Sequence, residues 1–289
     1  MRSQKLAVVV PLCLFLACAT AETKKMRDYA AAEGERVSSR GDDSLQKGAT
    51  LDAIRRYETA LRQFQRNDDL PKIDATDLKL AGVFLMRNDV ETARKFVEGA
   101  RLVVKKENLG MIEEDLAVSE SSLLVASGAG AEASALLKDF AKKAPARPSL
   151  RLAIAMGRAA LATNDLAESY KIFDGALAAG KGTPFESAVR VDLARVLLKM
   201  GKPGTALEHL KAALELDKKA GATVVLGDTL HFIGAAYEAS LDYSSAEYYY
   251  GRALSANLQT DLTEKAEADR IARSRVRGLA KAAPGKRTD

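Results

Sequence analysis

The chain has 289 residues, with 44 Lys and Arg against 39 Asp and Glu, two His, two Cys, no Trp and a formal net charge of +5. The charge sits at the ends: residues 1–17 carry +2 and residues 270–289 carry +6, which leaves residues 18–269 at −3. A mildly acidic body lacks the basic face that nucleic-acid binding requires, so no nucleic-acid partner is expected. His209 and His231 are far apart in sequence and fit no metal-ligand spacing, so neither a metal nor another cofactor is expected.

In chain order, the first segment is MRSQK followed by an apolar run from Leu6 to Ala17. A charged start, a short apolar stretch and small residues make residues 1–17 an export leader. About twelve apolar residues fall short of the roughly 20 that a membrane-spanning helix needs, and Pro11 interrupts them. Leu14-Phe15-Leu16-Ala17-Cys18 is similar to the lipobox of bacterial lipoproteins, although Phe15 stands where Leu is usual. That resemblance implies a diacylglycerol on Cys18 and, with Ala19 following, an outer-membrane lipoprotein facing the periplasm. Ala17-Cys18-Ala19 and Ala19-Thr20-Ala21 also suit ordinary leader cleavage, and a soluble periplasmic protein is the alternative. Cys13 lies in the leader, so the processed chain keeps one cysteine at most and forms no internal disulfide.

Residues 18–33 read as a short tether and the start of an N-terminal helix spanning 23–37. From 34 to 259 apolar residues recur every three or four positions, as in the stripe Leu51, Ile54, Tyr57, Leu61 and Phe64, and no stretch alternates as a strand. The chain is therefore expected to be all-α. It is also self-similar. "GTALEHLKAALEL" (204–216), "SSAEYYYGRALSA" (244–256), "DLAESYKIFDGALAA" (165–179) and "LDAIRRYETALRQ" (51–63) align on a small residue, a bulky one four later and Ala three beyond that. The aligned small residues are Ala53, Ala93, Ala133, Ser169, Ala206 and Ala246, at intervals of 40, 40, 36, 37 and 40.

This pattern resembles the tetratricopeptide repeat family, whose helix–turn–helix unit places small residues where its two helices cross. The sixth unit carries Ile233, Gly234, Tyr237, Ala246, Tyr250, Ala253 and Leu254 at the family's positions, and the fifth carries Leu193, Ala194, Leu197, Gly201, Ala206, Leu210 and Ala213. The second and fourth units also match, and the first less closely. The third puts Glu120 and Ser121 at the crossing, which implies a slipped register or a loose layer there. The resemblance implies a right-handed superhelix of about six repeats, longer than the family's usual unit. One helical pair cannot bury its apolar face alone, so neighbours must stack and the ends need polar caps. Residues 260–289 supply a capping helix, with Ala268, Ile271, Ala272, Val276 and Leu279 as its apolar stripe, and a basic tail.

Several segments invite a chemical reading and do not sustain one. Gly175, Gly180 and Lys181 approach a phosphate-binding loop, but Gly182 follows the lysine and a helix precedes it, so Gly180 is expected to cap a helix instead. Glu120-Ser121 is similar to the Glu-Ser pair of lytic transglycosylases, yet no separate catalytic domain remains. His209 is expected to be exposed on a second helix. No enzyme activity and no small-molecule substrate are expected.

The concave face is the candidate site. The family's inward-facing positions map onto Ile154, Val191 and His231, onto Arg158 and Arg195, and onto Arg151 and Lys199. The resemblance therefore implies a groove with an apolar floor and a basic middle, suited to a partner segment carrying apolar residues and a carboxylate. The asparagines of the family's lysine–asparagine clamp are missing. Arg270, Arg273, Arg277 and Lys281 share one face of the last helix and could meet anionic lipid or an acidic partner. Tyr243 and Tyr250 have packing roles in the repeat pattern; Tyr248 and Tyr249 are freer and could serve a partner interface, with core or ordinary surface as the plainer reading. The reading is a non-catalytic scaffold of a cell-envelope assembly, with protein partners and a membrane tether through its lipid. An accessory subunit of cell-wall hydrolysis, or a lipid-binding module using the last helix, are the alternatives.

Overall fold

A computed structural model describes residues 9–143 and 148–282, with side chains described from Met26 onward. Among the described residues there are thirteen α-helices and no strand. They are α1 (Val9–Gln46), α2 (Thr50–Arg66), α3 (Leu70–Met86), α4 (Val90–Glu107), α5 (Glu113–Ala126), α6 (Gly130–Lys143) and α7 (Leu150–Ala162), then α8 (Leu166–Gly180), α9 (Glu186–Lys199), α10 (Pro203–Ala220), α11 (Thr223–Ala239), α12 (Tyr243–Gln259) and α13 (Thr263–Ala282). Each helix packs on the next, giving six antiparallel pairs and a terminal helix. The expected tether and N-terminal helix are not separate elements: α1 runs unbroken through the 33/34 boundary into the first pair. Cys18 lies in its backbone, and the Cys18 side chain is outside the described residues.

The small-residue register explains the stacking. Ala53, Ala93, Ala133, Ser169, Ala206 and Ala246 are all fully buried. Sixteen residues separate the small residue on each first helix from a bulky one on its second. Where the bulky residue is aromatic the small one is glycine: Gly41 faces Tyr57, Gly157 faces Phe173 and Gly234 faces Tyr250, and an added Cβ would come within 2.6, 2.7 and 2.8 Å of the respective rings. Where it is aliphatic, a Cβ is present: Ala81 with Val97, Ser121 with Leu137, Ala194 with Leu210. The helices thus approach by sharing a constant volume between two positions. The third unit is neither slipped nor loose. Ser121 takes the crossing position, 2% exposed, and its hydroxyl donates to the Val118 carbonyl at 3.1 Å.

The turns repeat as well. A left-handed residue closes every turn inside a pair: Gly48, Asn88, Gly128, Asn164, Gly201 and Leu241. Asp89, Asp165 and Asp242 follow three of them and accept the backbone N–H three residues on, at 3.0, 3.2 and 3.1 Å, which starts the second helix. Between α8 and α9 the left-handed residue is Gly182. Gly180 is instead the last residue of α8, packed against Leu150, and Lys181 is the cap, one position later than expected.

Candidate functional site

Successive first helices line the inner face, and α3, α5, α7, α9 and α11 also touch one another in sequence. They surround a partly enclosed cavity of about 1040 Å³. Leu85 and Met86 of α3 and Val125 and Ala126 of α5 form one apolar wall; Pro184, Val191, Val225 and Phe232 form the other. Polar groups lie between them: Ser122, Arg158, Asp192, Arg195, Asp217 and Asp228.

Arg158, Val191 and Arg195 therefore stand where the sequence reading put them. The other four expected groove residues do not line the cavity. Ile154 is 5% exposed and belongs to the apolar core between repeats. Arg151 pairs with Asp115 of α5 at 2.6 Å. Lys199 lies at the exposed end of α9. The Nδ1 of His231 hydrogen-bonds buried Asp269 of α13 at 2.6 Å, which ties the last pair to the cap. At this repeat position Leu78 and Ile154 are buried between neighbouring helices, whereas Val191 stays half-buried and reaches the cavity.

The expected basic middle is also corrected. Arg158 Nε and Arg195 Nη1 both donate to Asp192, at 2.6 and 2.8 Å. The Asp192 side chain is 3% exposed while the two arginines remain 45% and 39% exposed. One buried carboxylate thus holds two guanidinium groups whose other N–H donors are not used by it. Arg195 also lies over the Phe232 ring, 5.3 Å from its centroid. Asp228 is bound by Lys265 of α13 at 2.7 Å. Asp217, buried between Ser187 and Thr229, has its pKa raised by desolvation despite both hydrogen bonds. The three cations lining the cavity, Arg158, Arg195 and Lys219, face three carboxylates. Asp192 was missed in the sequence. Its signal was an acid in an apolar stripe, three residues before Arg195 and 34 after Arg158, in the next repeat.

The remaining candidates are engaged elsewhere. Glu120 is ion-paired to Arg101 of α4. His209 is half-buried rather than exposed, and burial lowers its pKa, with Arg190 adding to the effect. On α13, Arg277 and Arg273 both reach Glu247, at 2.8 and 3.7 Å, and Arg270 pairs with Glu267. Lys281 is exposed. The expected cationic face is therefore largely compensated by carboxylates. Tyr249 stacks on Tyr237 at 5.4 Å, and Arg252 covers both Tyr248 and Tyr249. Among the described residues no three His, Cys, Asp or Glu side chains gather as a metal site, and no helix is long and apolar enough to cross a membrane.

The tetratricopeptide repeat family model matches residues 185–259, the span of α9 to α12. The fold is a tetratricopeptide-type helical solenoid. The comparison with curated proteins finds no match. Among solved structures, the chain is similar to a Rap protein complexed with competence and sporulation factor, with a TM-score of 0.58 and 14% identity over 86% of this chain and 75% of that one. It is also similar to a signal transduction ATPase with a tetratricopeptide repeat sensor from Pyrococcus horikoshii, with a TM-score of 0.54 and 15% identity over 83% of this chain and 37% of that one. At these identities the likeness is one of fold. It extends the repeat architecture beyond the matched residues to most of the chain.

Proposed function

We propose that this protein is a non-catalytic adaptor that holds a segment of a partner protein inside the solenoid. The tetratricopeptide-type fold itself suggests a scaffold for protein–protein contact. The observation that supports the finer reading is the Arg158–Asp192–Arg195 cluster set between apolar walls. Two guanidinium groups fixed by a buried carboxylate are oriented before a ligand arrives, which removes part of the ordering cost of binding. A segment with apolar side chains and one carboxylate would satisfy both the walls and the free donors. The leader and Cys18 support a place for this adaptor at the cell envelope, tethered through its lipid and facing the periplasm.

The test is a photo-crosslinking side chain introduced at Val191, inside the cavity, with a second version at Tyr170, on the outer face of α8. Discrete adducts are expected from position 191 and not from 170. Arg158→Glu with Arg195→Glu should remove them while leaving the helical content unchanged. Adducts that persist in the charge-reversed protein would refute the cluster as the recognition element.

A further inference from the structure

The two ends of the solenoid meet. Thr50 Oγ1, at the start of α2, donates to the Thr260 carbonyl at 3.1 Å, and Thr50 and Thr260 are 0% and 2% exposed. Arg87, just past α3, donates to Thr50 Oγ1 at 3.0 Å and to the Asp261 carbonyl at 3.1 Å. Gln46 at the end of α1 donates to the Ala220 carbonyl at 3.0 Å, and Asn88 bonds Glu264. Gly48 sits so close that an added Cβ would overlap the Thr260 methyl. Apart from the Arg87–Thr50 bond, these contacts join residues 174 to 212 positions apart and close the superhelix into a ring around the cavity.

The seam differs in kind from every other junction in the stack. The five apolar clusters run from α1 to α4, α3 to α5, α5 to α7, α7 to α12 and α11 to α13, and none spans it. Repeats are held by buried apolar area, whereas the ends are held by a handful of hydrogen bonds. Each such bond contributes little net, because water replaces it when the seam parts. The cavity wall also crosses the seam, with Gln46, Leu85 and Met86 on one side and Lys219, Ala220 and Ala222 on the other.

We infer that this seam is a latch: it parts while the repeats stay folded, and its parting opens the cavity to large molecules. That role as a gate rests on the cavity being the binding site proposed above, while the opening itself does not.

The experiment needs no partner. In a Cys13→Ser/Cys18→Ser background, a single cysteine is placed on the cavity wall by Ser122→Cys and reacted with a bulky polymer-tailed maleimide. The labelling rate is compared in three forms: the seam intact, weakened by Thr50→Val with Arg87→Ala, and locked by Gly48→Cys with Thr260→Cys. A Cβ added at residue 48, strained there by a φ of 80°, would lie 3.3 Å from the Thr260 Cβ, just short of the 3.5–4.5 Å of a disulfide, which is formed before labelling. The weakened form should label at least about tenfold faster than the intact one, as the loss of two or three net hydrogen bonds implies, and the locked form slowest. Circular dichroism should be the same in all three, and Lys138→Cys, on the outer face of α6, should label at one rate throughout. Equal rates at position 122 in the three forms would overturn the latch. So would acceleration that comes only with lost helicity. If the latch holds while position 191 yields no adducts, the binding reading falls and the latch stands.

Discussion

Gly157→Ala tests the packing rule on which the whole stack rests. In an exposed helix interior, Gly→Ala stabilises by about 1 kcal/mol. At residue 157 the new Cβ would lie 2.7 Å from Phe173 Cζ and 2.8 Å from Cε1. Ordinary carbon contacts lie near 3.5 Å, so the ring must retreat by roughly 0.8 Å. Phe173 is fully buried in the largest apolar cluster and has no room to do so. Overpacking of this kind costs about 1–3 kcal/mol, which outweighs the helix gain. Net destabilisation of up to about 2 kcal/mol is expected in denaturant titrations followed by circular dichroism. Gly175→Ala, on the exposed face of α8 with nothing within 4 Å of the new Cβ, should stabilise by about 1 kcal/mol. The sharper result is the pair. Gly157→Ala with Phe173→Leu reproduces the combination that Ala194 and Leu210 already form one unit later. It should be more stable than the sum of its single changes by about 1 kcal/mol or more. Additive effects, or a stabilising Gly157→Ala, would refute the shared-volume explanation.

Further outcomes follow from other sites. Asp74 is fully buried with neither carboxylate oxygen hydrogen-bonded, and burial pushes it up to about 6; Asp77 is pushed to about 7, by burial first and the Asp74 charge second. The folded chain then keeps protons on these two groups that the unfolded chain loses above roughly pH 4, so their contribution to stability falls from about pH 4 to pH 7 and levels off above that. Asp74→Asn should gain about 3 kcal/mol at pH 8 and little at pH 4, and a pH-independent difference would contradict this. Leu241 is left-handed, with φ 61°, and 72% exposed, at a turn position that other units fill with Gly or Asn. Leu241→Asn should raise stability by about 1 kcal/mol, and a loss would mean that the leucine side chain makes a contact that matters. For the tether, the intact mass of protein purified from a bacterial envelope should match cleavage before Cys18 plus acyl chains and lose the acyl mass in Cys18→Ser. An unacylated chain beginning at Thr20 or Glu22 would make it a soluble periplasmic protein.

The repeat architecture was legible because its spacing is carried by residue size. Six small residues at near-constant intervals can be found without knowing which atoms they touch, and the six that were aligned are all fully buried. The third unit was misjudged because Ser121 was weighed as a polar residue. At that crossing its volume decides, since a hydroxyl can return its hydrogen bond to the preceding turn. The site was less legible because inward-facing positions are set by how tightly the superhelix winds, and a single unit's sequence does not encode that angle. Arg158 and Arg195 line the cavity, while Ile154 is taken up between helices.

The ring closure was the least legible feature, for a related reason. The contacts that make it, Thr50 with Thr260 and Arg87 with Asp261, are polar, lie in turns and belong to no periodic pattern. Their register is fixed by the accumulated rotation of five inter-repeat junctions, so a small change at any one of them moves the ends apart. Such a seam is sensitive to the whole stack while contributing little to its stability. The same argument ties the packing pairs to the cavity. Gly157→Ala, by forcing α7 and α8 apart, should shift the angle at the middle of the ring and speed labelling at Ser122→Cys, although it touches neither the seam nor the cavity wall. An unchanged rate in a variant that is measurably destabilised would show that the junctions absorb strain locally and that the ends are held by their own contacts alone.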